Sequence, residues 1–263
     1  MASYLAVLFV FGAFAFGQGM ASLLRGAGVV LLYAGFDVVW TYVRDKVWYF
    51  PLSSLISGFV LAIVSMPDLP LWLLFFLPLL AVFSKQVLHF GKMRHVFNPA
   101  GFAMVVASFF VPVVSWWATG WSGVLLLIVL IPCVFILWRQ TRWHVALPFV
   151  VSYFVLLSIF YLMTGVPFQN LPVILSGQLL NGTLLFFSTV MLIEPLTSTF
   201  PTRGQRVIYA LMVAIFSVMV QAILKFVSVQ HIDPLIFGLL LGNFSASLLF
   251  LPKLKKDTMQ VSK

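Results

Sequence analysis

The sequence predicts an all-α polytopic membrane protein of about ten transmembrane segments, and three observations predict it. Of the 263 residues, 62% are hydrophobic and only 8% charged, against roughly a quarter charged in water-soluble domains. The apolar residues fall into runs that can be measured against a bilayer, whose hydrocarbon of about 30 Å takes roughly 20 helical residues to cross. The cations recur in alternate loops between those runs. A soluble core of this size leaves about a quarter or more of its unfolded-chain surface in water, so a surface this apolar has lipid as its solvent.

Polar residues and Pro/Gly pairs cut the chain near 4–22, 27–43, 51–66, 70–90, 98–117, 122–138, 144–163, 172–193, 206–228 and 234–251. Met1 to Gly17 has no Lys or Arg ahead of its apolar run, unlike a secretory signal, and is read as part of a first span. Lipid offers the backbone no partners, so each span is expected to be helical and any break to be buried in protein. With the N-terminus in the cytoplasm, Arg44 and Lys46, Lys92 and Arg94, Arg139 and Arg142, Arg203 and Arg206, and Lys253, Lys255 and Lys256 all face one side. Lys85 can snorkel to that side, and Arg25 and Lys225 are the exceptions. Such asymmetry puts both termini in the cytoplasm. The chain reads as one membrane domain, 1–263, whose residues 253–263 form a basic cytoplasmic tail. The net charge of +9 is scattered singly between apolar runs, which excludes a nucleic-acid stripe. Cys133, the single cysteine, excludes a disulfide framework and a cysteine metal cluster and reads as a core thiol.

Two segments are short or interrupted. Pro51-Leu-Ser-Ser-Leu-Ile-Ser57-Gly58 opens a run that ends at Met66, and Leu175-Ser176-Gly177-Gln178 with Asn181-Gly182 interrupts the eighth segment. Each is followed two spans later by an Asx-Pro start, Asn98-Pro99 in one half and Asp233-Pro234 in the other. Corresponding breaks in two halves mark an internal repeat with a central site. The halves are 1–117 and 118–252; five spans in each make the second inverted relative to the first. The breaks around Ser57-Gly58 and Ser176-Gly177 are expected to meet in mid-membrane.

Asn98 and Asp233 stand where a side-chain oxygen caps free amides at a helix start. The same broken helix end can present donors to an anion or carbonyl. Asp37, near the middle of the second span, is expected to face the bundle interior, because an acid there costs on the order of 3 kcal/mol on insertion scales. Glu194 at a membrane boundary can pair with Arg203 or Arg206, or serve proton or cation coupling. Trp116, Trp117 and Trp121 read as interfacial anchors. His89, His95, His144 and His231 lie near span ends rather than facing each other within spans, so no haem is expected. No dinucleotide or phosphate loop, no carboxylate pair and no His-Glu-x-x-His occurs. No catalytic residue and no metal site is assigned, and NAD, ferredoxin or ATP chemistry belongs to another chain.

Five runs, in order, resemble the RnfD/NqrB family: Lys92-Met-Arg-His95-Val-Phe-Asn98-Pro99-Ala-Gly-Phe; Leu137-Trp-Arg-Gln-Thr-Arg-Trp-His144; Phe187-Ser-Thr-Val-Met-Leu-Ile-Glu194-Pro195-Leu-Thr-Ser-Thr; Arg203-Gly-Gln-Arg206-Val-Ile-Tyr; and Asp233 to Ser247. Pro51 to Trp72 looks like that family's first repeat, and the resemblance covers about residues 20–251. It implies a ten-span inverted repeat like that of urea channels. It also implies a bacterial cytoplasmic-membrane subunit of an ion-translocating electron-transport complex, with flavin or iron–sulfur proteins as partner subunits. Cofactor contacts are then expected at Asn98, Pro99, Ser57, Gly58, Ser176, Gly177, Thr199, Arg203, Asp233 and Asn243, and ion or proton coupling at Glu194 and Asp37. Glu194 stands where the family usually has Asp before Pro. Typical members attach FMN to a threonine in a Ser-x-Ala-Thr motif between the fifth and sixth spans. Here that loop is shortened to Val113-Val-Ser-Trp-Trp-Ala-Thr119-Gly120-Trp-Ser. Covalent FMN at Thr119 is therefore not expected, and a non-covalent flavin or a quinone is. A channel or permease for a small solute on the same repeat is the competing expectation.

Overall fold

The computed structural model describes residues 1–15, 19–90 and 94–261, with the side chains of Phe90, Arg94 and 251–261 excepted. Lys92 lies outside the described residues, as do the side chains of Lys253, Lys255 and Lys256 in the expected basic tail. Helix dominates: α1 (Ala2–Ala15), α2 (Gly19–Asp45), α3 (Leu52–Val64), α4 (Leu71–Val87), α5 (Pro99–Ser108), α6 (Leu126–Gln140), α7 (Trp143–Met163), α8 (Leu171–Leu179), α9 (Gly182–Phe186), α10 (Pro195–Ser198), α11 (Arg203–Val227) and α12 (Pro234–Val261). Two short antiparallel strands, β1 (His89–Phe90) and β2 (Arg94–His95), join α4 to α5.

Among the described residues, four helices are long and apolar enough to cross a membrane: Gly19–Asp45, Gly123–Gln140, Trp143–Met163 and Arg203–Val227. A fifth candidate is the pair Phe168–Leu179 and Gly182–Met191, bent by 57°. The other expected spans are short apolar helices. The largest departure is 98–117, where helix stops at Ser108, leaving ten helical residues that cover about 15 Å, half the hydrocarbon thickness.

The remainder of that segment supplies the stitching. Beyond Val111 the chain runs extended beside the end of α3: Met66 donates to the Val113 carbonyl (2.7 Å), and Ser115 and Trp116 donate to the Val64 carbonyl (2.9 and 3.1 Å). A few residues on, it meets the kink between α8 and α9, where Gly182 donates to the Trp121 carbonyl (3.0 Å). A Cβ at Gly182 would lie 2.0 Å from the Thr119 carbonyl oxygen, so only glycine lets the two backbones approach. One irregular strip thus supplies backbone partners to both helix breaks, as burial away from water demands.

The breaks themselves are displaced from the expected residues. Ser57 and Gly58 sit inside α3, which ends at Ser65, and Ser176 and Gly177 sit inside α8, whose helix ends at Leu180-Asn181. Ser-Gly inside an apolar helix costs about 1 kcal/mol against Ala, too little to break a helix whose backbone has no other partners. The extended Ser65 and the Asn181 cap do break it.

α5 and α12 pack antiparallel, Phe97 stacked on Phe244 at one end and Phe109 edge-on to Phe237 at the other. Asn98 Oδ1 accepts from the Gly101 amide and Asp233 Oδ1 from the Ile236 amide, both at 2.9 Å, so each helix is capped before its proline. The C-terminal ends of α2, α4 and α6 and the starts of α7 and α11 gather at one end of the molecule, joined by Arg44 to Gln86 (2.8 Å) and Arg142 to Thr199 (2.7 Å). Asp233, Trp116 and Asn181 lie toward the other end.

Candidate functional site

A π-helical turn, Phe187–Met191, follows α9, and the chain then unwinds to Glu194. Unwinding frees carbonyls, and neighbouring helices supply their donors. Asn98 Nδ2 donates to the Met191 carbonyl at 3.3 Å, and the Tyr209 hydroxyl lies 3.5 Å from the Leu192 carbonyl while donating to Asn243 Oδ1 at 2.7 Å. Asn98 therefore does two things at once, capping α5 and holding the unwound segment.

Beside this junction is a cavity of about 360 Å³, bounded by Ser53, Ile56, Ser57 and Val60 of α3, by Asn98 and Ala100, by Val190 and Met191, and by Glu194, Pro195 and Leu196, with Met1 and Gln140 completing the lining. Its walls are apolar with a few converging polar groups, the usual character of a small-molecule site. Burial pushes the Glu194 carboxyl up to about 7, opposed by the Thr197 hydroxyl and by Lys85. Neither Arg203 nor Arg206 pairs with it, contrary to expectation. Arg206 instead donates through Nε to the Phe200 carbonyl (2.6 Å) and faces His144 Nε2 (2.9 Å).

The α3 wall is tied to a buried ion pair. Lys85 Nζ lies 2.7 Å from Asp37 Oδ2, and the two side chains are 11% and 0% exposed. Tyr49 and Ser54 also donate to Asp37, as does Gln86 Nε2 at 2.6 Å. The same ammonium donates to Ser53 Oγ (2.9 Å) and Ser54 Oγ (2.7 Å), and Ser53 lines the cavity. Asp37 faces the interior as expected. Lys85 does not snorkel outward: a fully buried carboxylate attracts it more strongly than the interface does.

The structure brings Ser57, Asn98 and Glu194 to one cavity, with the buried Pro99 adjacent. Gly58 points away from it, against the Val30 backbone. Ser176, Gly177 and Arg203 are exposed, and Thr199 accepts from Arg142. Asn243 is buried beside Tyr209. Asp233 lies toward the opposite end, where it accepts from Trp116 Nε1 at 2.7 Å and burial raises its proton affinity. Thr119 is fully buried and donates to the Trp116 carbonyl. Trp116 and Trp121 are internal rather than interfacial, and Trp117 is half-buried. Trp116 and Trp121 are 8% and 3% exposed, and Trp117 and Trp121 donate to the Ala62 and Trp117 carbonyls. Two of the indole N–H groups serve backbone carbonyls, one in α3 and one in the irregular strip, and the third serves Asp233. Sequence reasoning missed Ser53, Gln86 and Tyr209 as contributors, and missed Lys85 as the partner of Asp37. A mid-span acid followed by a lone cation inside a later apolar run was the available signal for that pair.

Among the described residues no group of three or more His, Cys, Asp or Glu could hold a metal. Compared with known proteins, the chain matches no family model and no curated sequence.

Proposed function

We propose that the chain is the membrane subunit of an electron-transport complex resembling RnfD, and that the cavity beside Asn98 holds the ring of a flavin or a quinone without a covalent link. The observation that carries this reading is convergence: Ser57, Asn98 and Glu194 come from three separate stretches that resemble the RnfD/NqrB family, and all three line one cavity. At about 360 Å³ the cavity is near the lower limit for small-molecule sites of roughly 300–1,000 Å³, a size suited to a ring system rather than a dinucleotide. Glu194, whose carboxyl titrates near neutrality, and the Asp37–Lys85 pair behind Ser53 are the groups proposed to couple electron flow to Na⁺ or H⁺ movement. Flavin or iron–sulfur proteins are the proposed partner subunits, and the basic end faces the cytoplasm of a bacterial inner membrane.

Ten segments in an inverted five-plus-five repeat are part of the same proposal. Three features support it: α2 packs on α4 and α4 on α5 much as α7 packs on α11 and α11 on α12; α5 and α12 carry matching Asx-Pro caps; and those capped ends point opposite ways. The chain, purified with its native partners, is expected to release flavin or quinone on denaturation, and Asn98→Leu with Glu194→Gln to lower that content. A preparation with neither cofactor and no redox activity overturns the reading.

A permease is the second reading, favoured by the opposed Asx-Pro helix starts of α5 and α12. Against it, Trp116 meets Phe186 and Phe187 edge-on, and both phenylalanines are fully buried between the cavity and the far end. Solute flux into proteoliposomes of the isolated chain separates the two.

A further inference from the structure

Two membrane-length helices, α7 and α11, begin side by side at the basic end, Arg142 just ahead of one and Thr202 capping the other. Helix starts carry unpaired amides and the positive end of the helix dipole. To these are added Arg142, Arg203 and Arg206, with His144 beside Arg206. Arg206 is fixed by the Phe200 carbonyl. Arg142 is only half satisfied. Its Nη2 donates to Thr199, whereas its Nη1 is shielded from solvent and has no acceptor among the described residues.

No carboxylate offsets this charge among the described side chains. Asp37 is taken by Lys85, Asp45 by Arg44, and Asp233 by the Trp116 N–H toward the far end. Asp68 lies in the loop after α3, and Glu194 has Thr197 as its hydrogen-bond donor. Burial and the neighbouring Arg206 hold the Arg142 guanidinium below its usual range. A desolvated cation facing like charge is costly, and an anion removes that cost.

The depth says which anion. Trp138 and Trp143 flank Arg142 in sequence with exposed side chains, 65% and 36%, as indoles at the headgroup level do. At that level the abundant anion is the phosphate of a phospholipid, and basic pockets between transmembrane helices bind such groups. We propose that the adjoining starts of α7 and α11 bind the phosphate of an anionic phospholipid, with Arg142 and Arg206 as its donors. The site is separate from the cofactor cavity and does not depend on the redox reading.

The test is native mass spectrometry of the full chain, delipidated and titrated with phosphatidylglycerol or phosphatidylcholine, with and without inorganic phosphate. The unmodified protein should retain phosphatidylglycerol over phosphatidylcholine. Arg142→Gln and Arg206→Gln should each lower that retention about fivefold, while Arg142→Lys and Arg139→Gln, the latter an exposed cation nearby, preserve it. Equal retention of the two lipids by the unmodified protein overturns the proposal, and that result needs no variant to fold. Complete displacement by inorganic phosphate assigns the site to a free anion and overturns the lipid. A loss in Arg139→Gln matching that in Arg142→Gln overturns the location.

Discussion

A buried ammonium facing a buried carboxylate is held by its surroundings as much as by its partner, and the Asp37–Lys85 pair has Tyr49, Ser54 and Gln86 around it. Removing one charge leaves the other stranded, so Lys85→Met should cost about 3–5 kcal/mol in thermal unfolding in detergent. Asp37→Asn combined with Lys85→Met should cost clearly less than the sum of the single changes; additivity would show that the pair does not interact. Glu194 carries a pH signature. Its folded carboxyl titrates at about 7, above the ordinary 4.5. A group raised in this way contributes stability below the ordinary value and loses it as pH rises through the folded value. The melting temperature should therefore fall between about pH 5 and pH 8, and Glu194→Gln should flatten that slope. The inward direction of Asp37 was legible because a mid-span acid has few alternatives. The partner of Glu194 was not, because sequence proximity to Arg203 and Arg206 says nothing about the turn at Phe200, whose carbonyl takes Arg206.

Helix contacts in lipid rest on close approach, and among the described helix–helix junctions that of α11 with α12 is the tightest to be read from a glycine. A Cβ at Gly238 would lie 2.6 Å from the Ser217 backbone, whereas one at Gly35 meets nothing within 4 Å. Gly238→Ala should destabilise by about 1–3 kcal/mol through overpacking, and Gly35→Ala should be neutral or stabilising by up to about 1 kcal/mol. Equal effects in parallel melts would remove the close-packing argument. The Asx-Pro starts of α5 and α12 were legible because an oxygen before proline has a local role that needs no tertiary information. The end of α5 at Ser108 was not. Phe109 to Ser122 is as apolar as a helix, and its pairing with Val64 and Gly182, far away in sequence, goes with an irregular course of extended stretch and turns. Trp116 and Trp121 were misplaced for the same reason, since an indole beside an irregular buried backbone and one at a lipid interface look alike in one dimension.

For the molecule entire, the gathering of cations at one end predicts sidedness. On a Cys133→Ala background, Arg139→Cys should react with an impermeant thiol reagent only when the cytoplasmic face is opened, and Ser228→Cys from outside in intact cells. The reverse pattern would invert the topology. The gathering of cations at one end was legible in the alternation of charged loops, but not the depth to which the short helices reach. The hydrogen bond from Trp116 to Asp233 joins residues 117 positions apart, and α5 lies against a helix that begins only at Pro234. During synthesis α5, already packed against α3 and α4, must therefore wait for its remaining neighbour until α12 leaves the ribosome. A chain cut short before α12 leaves one side of α5 and the carboxylate partner of Trp116 missing, an open seam for quality-control proteases.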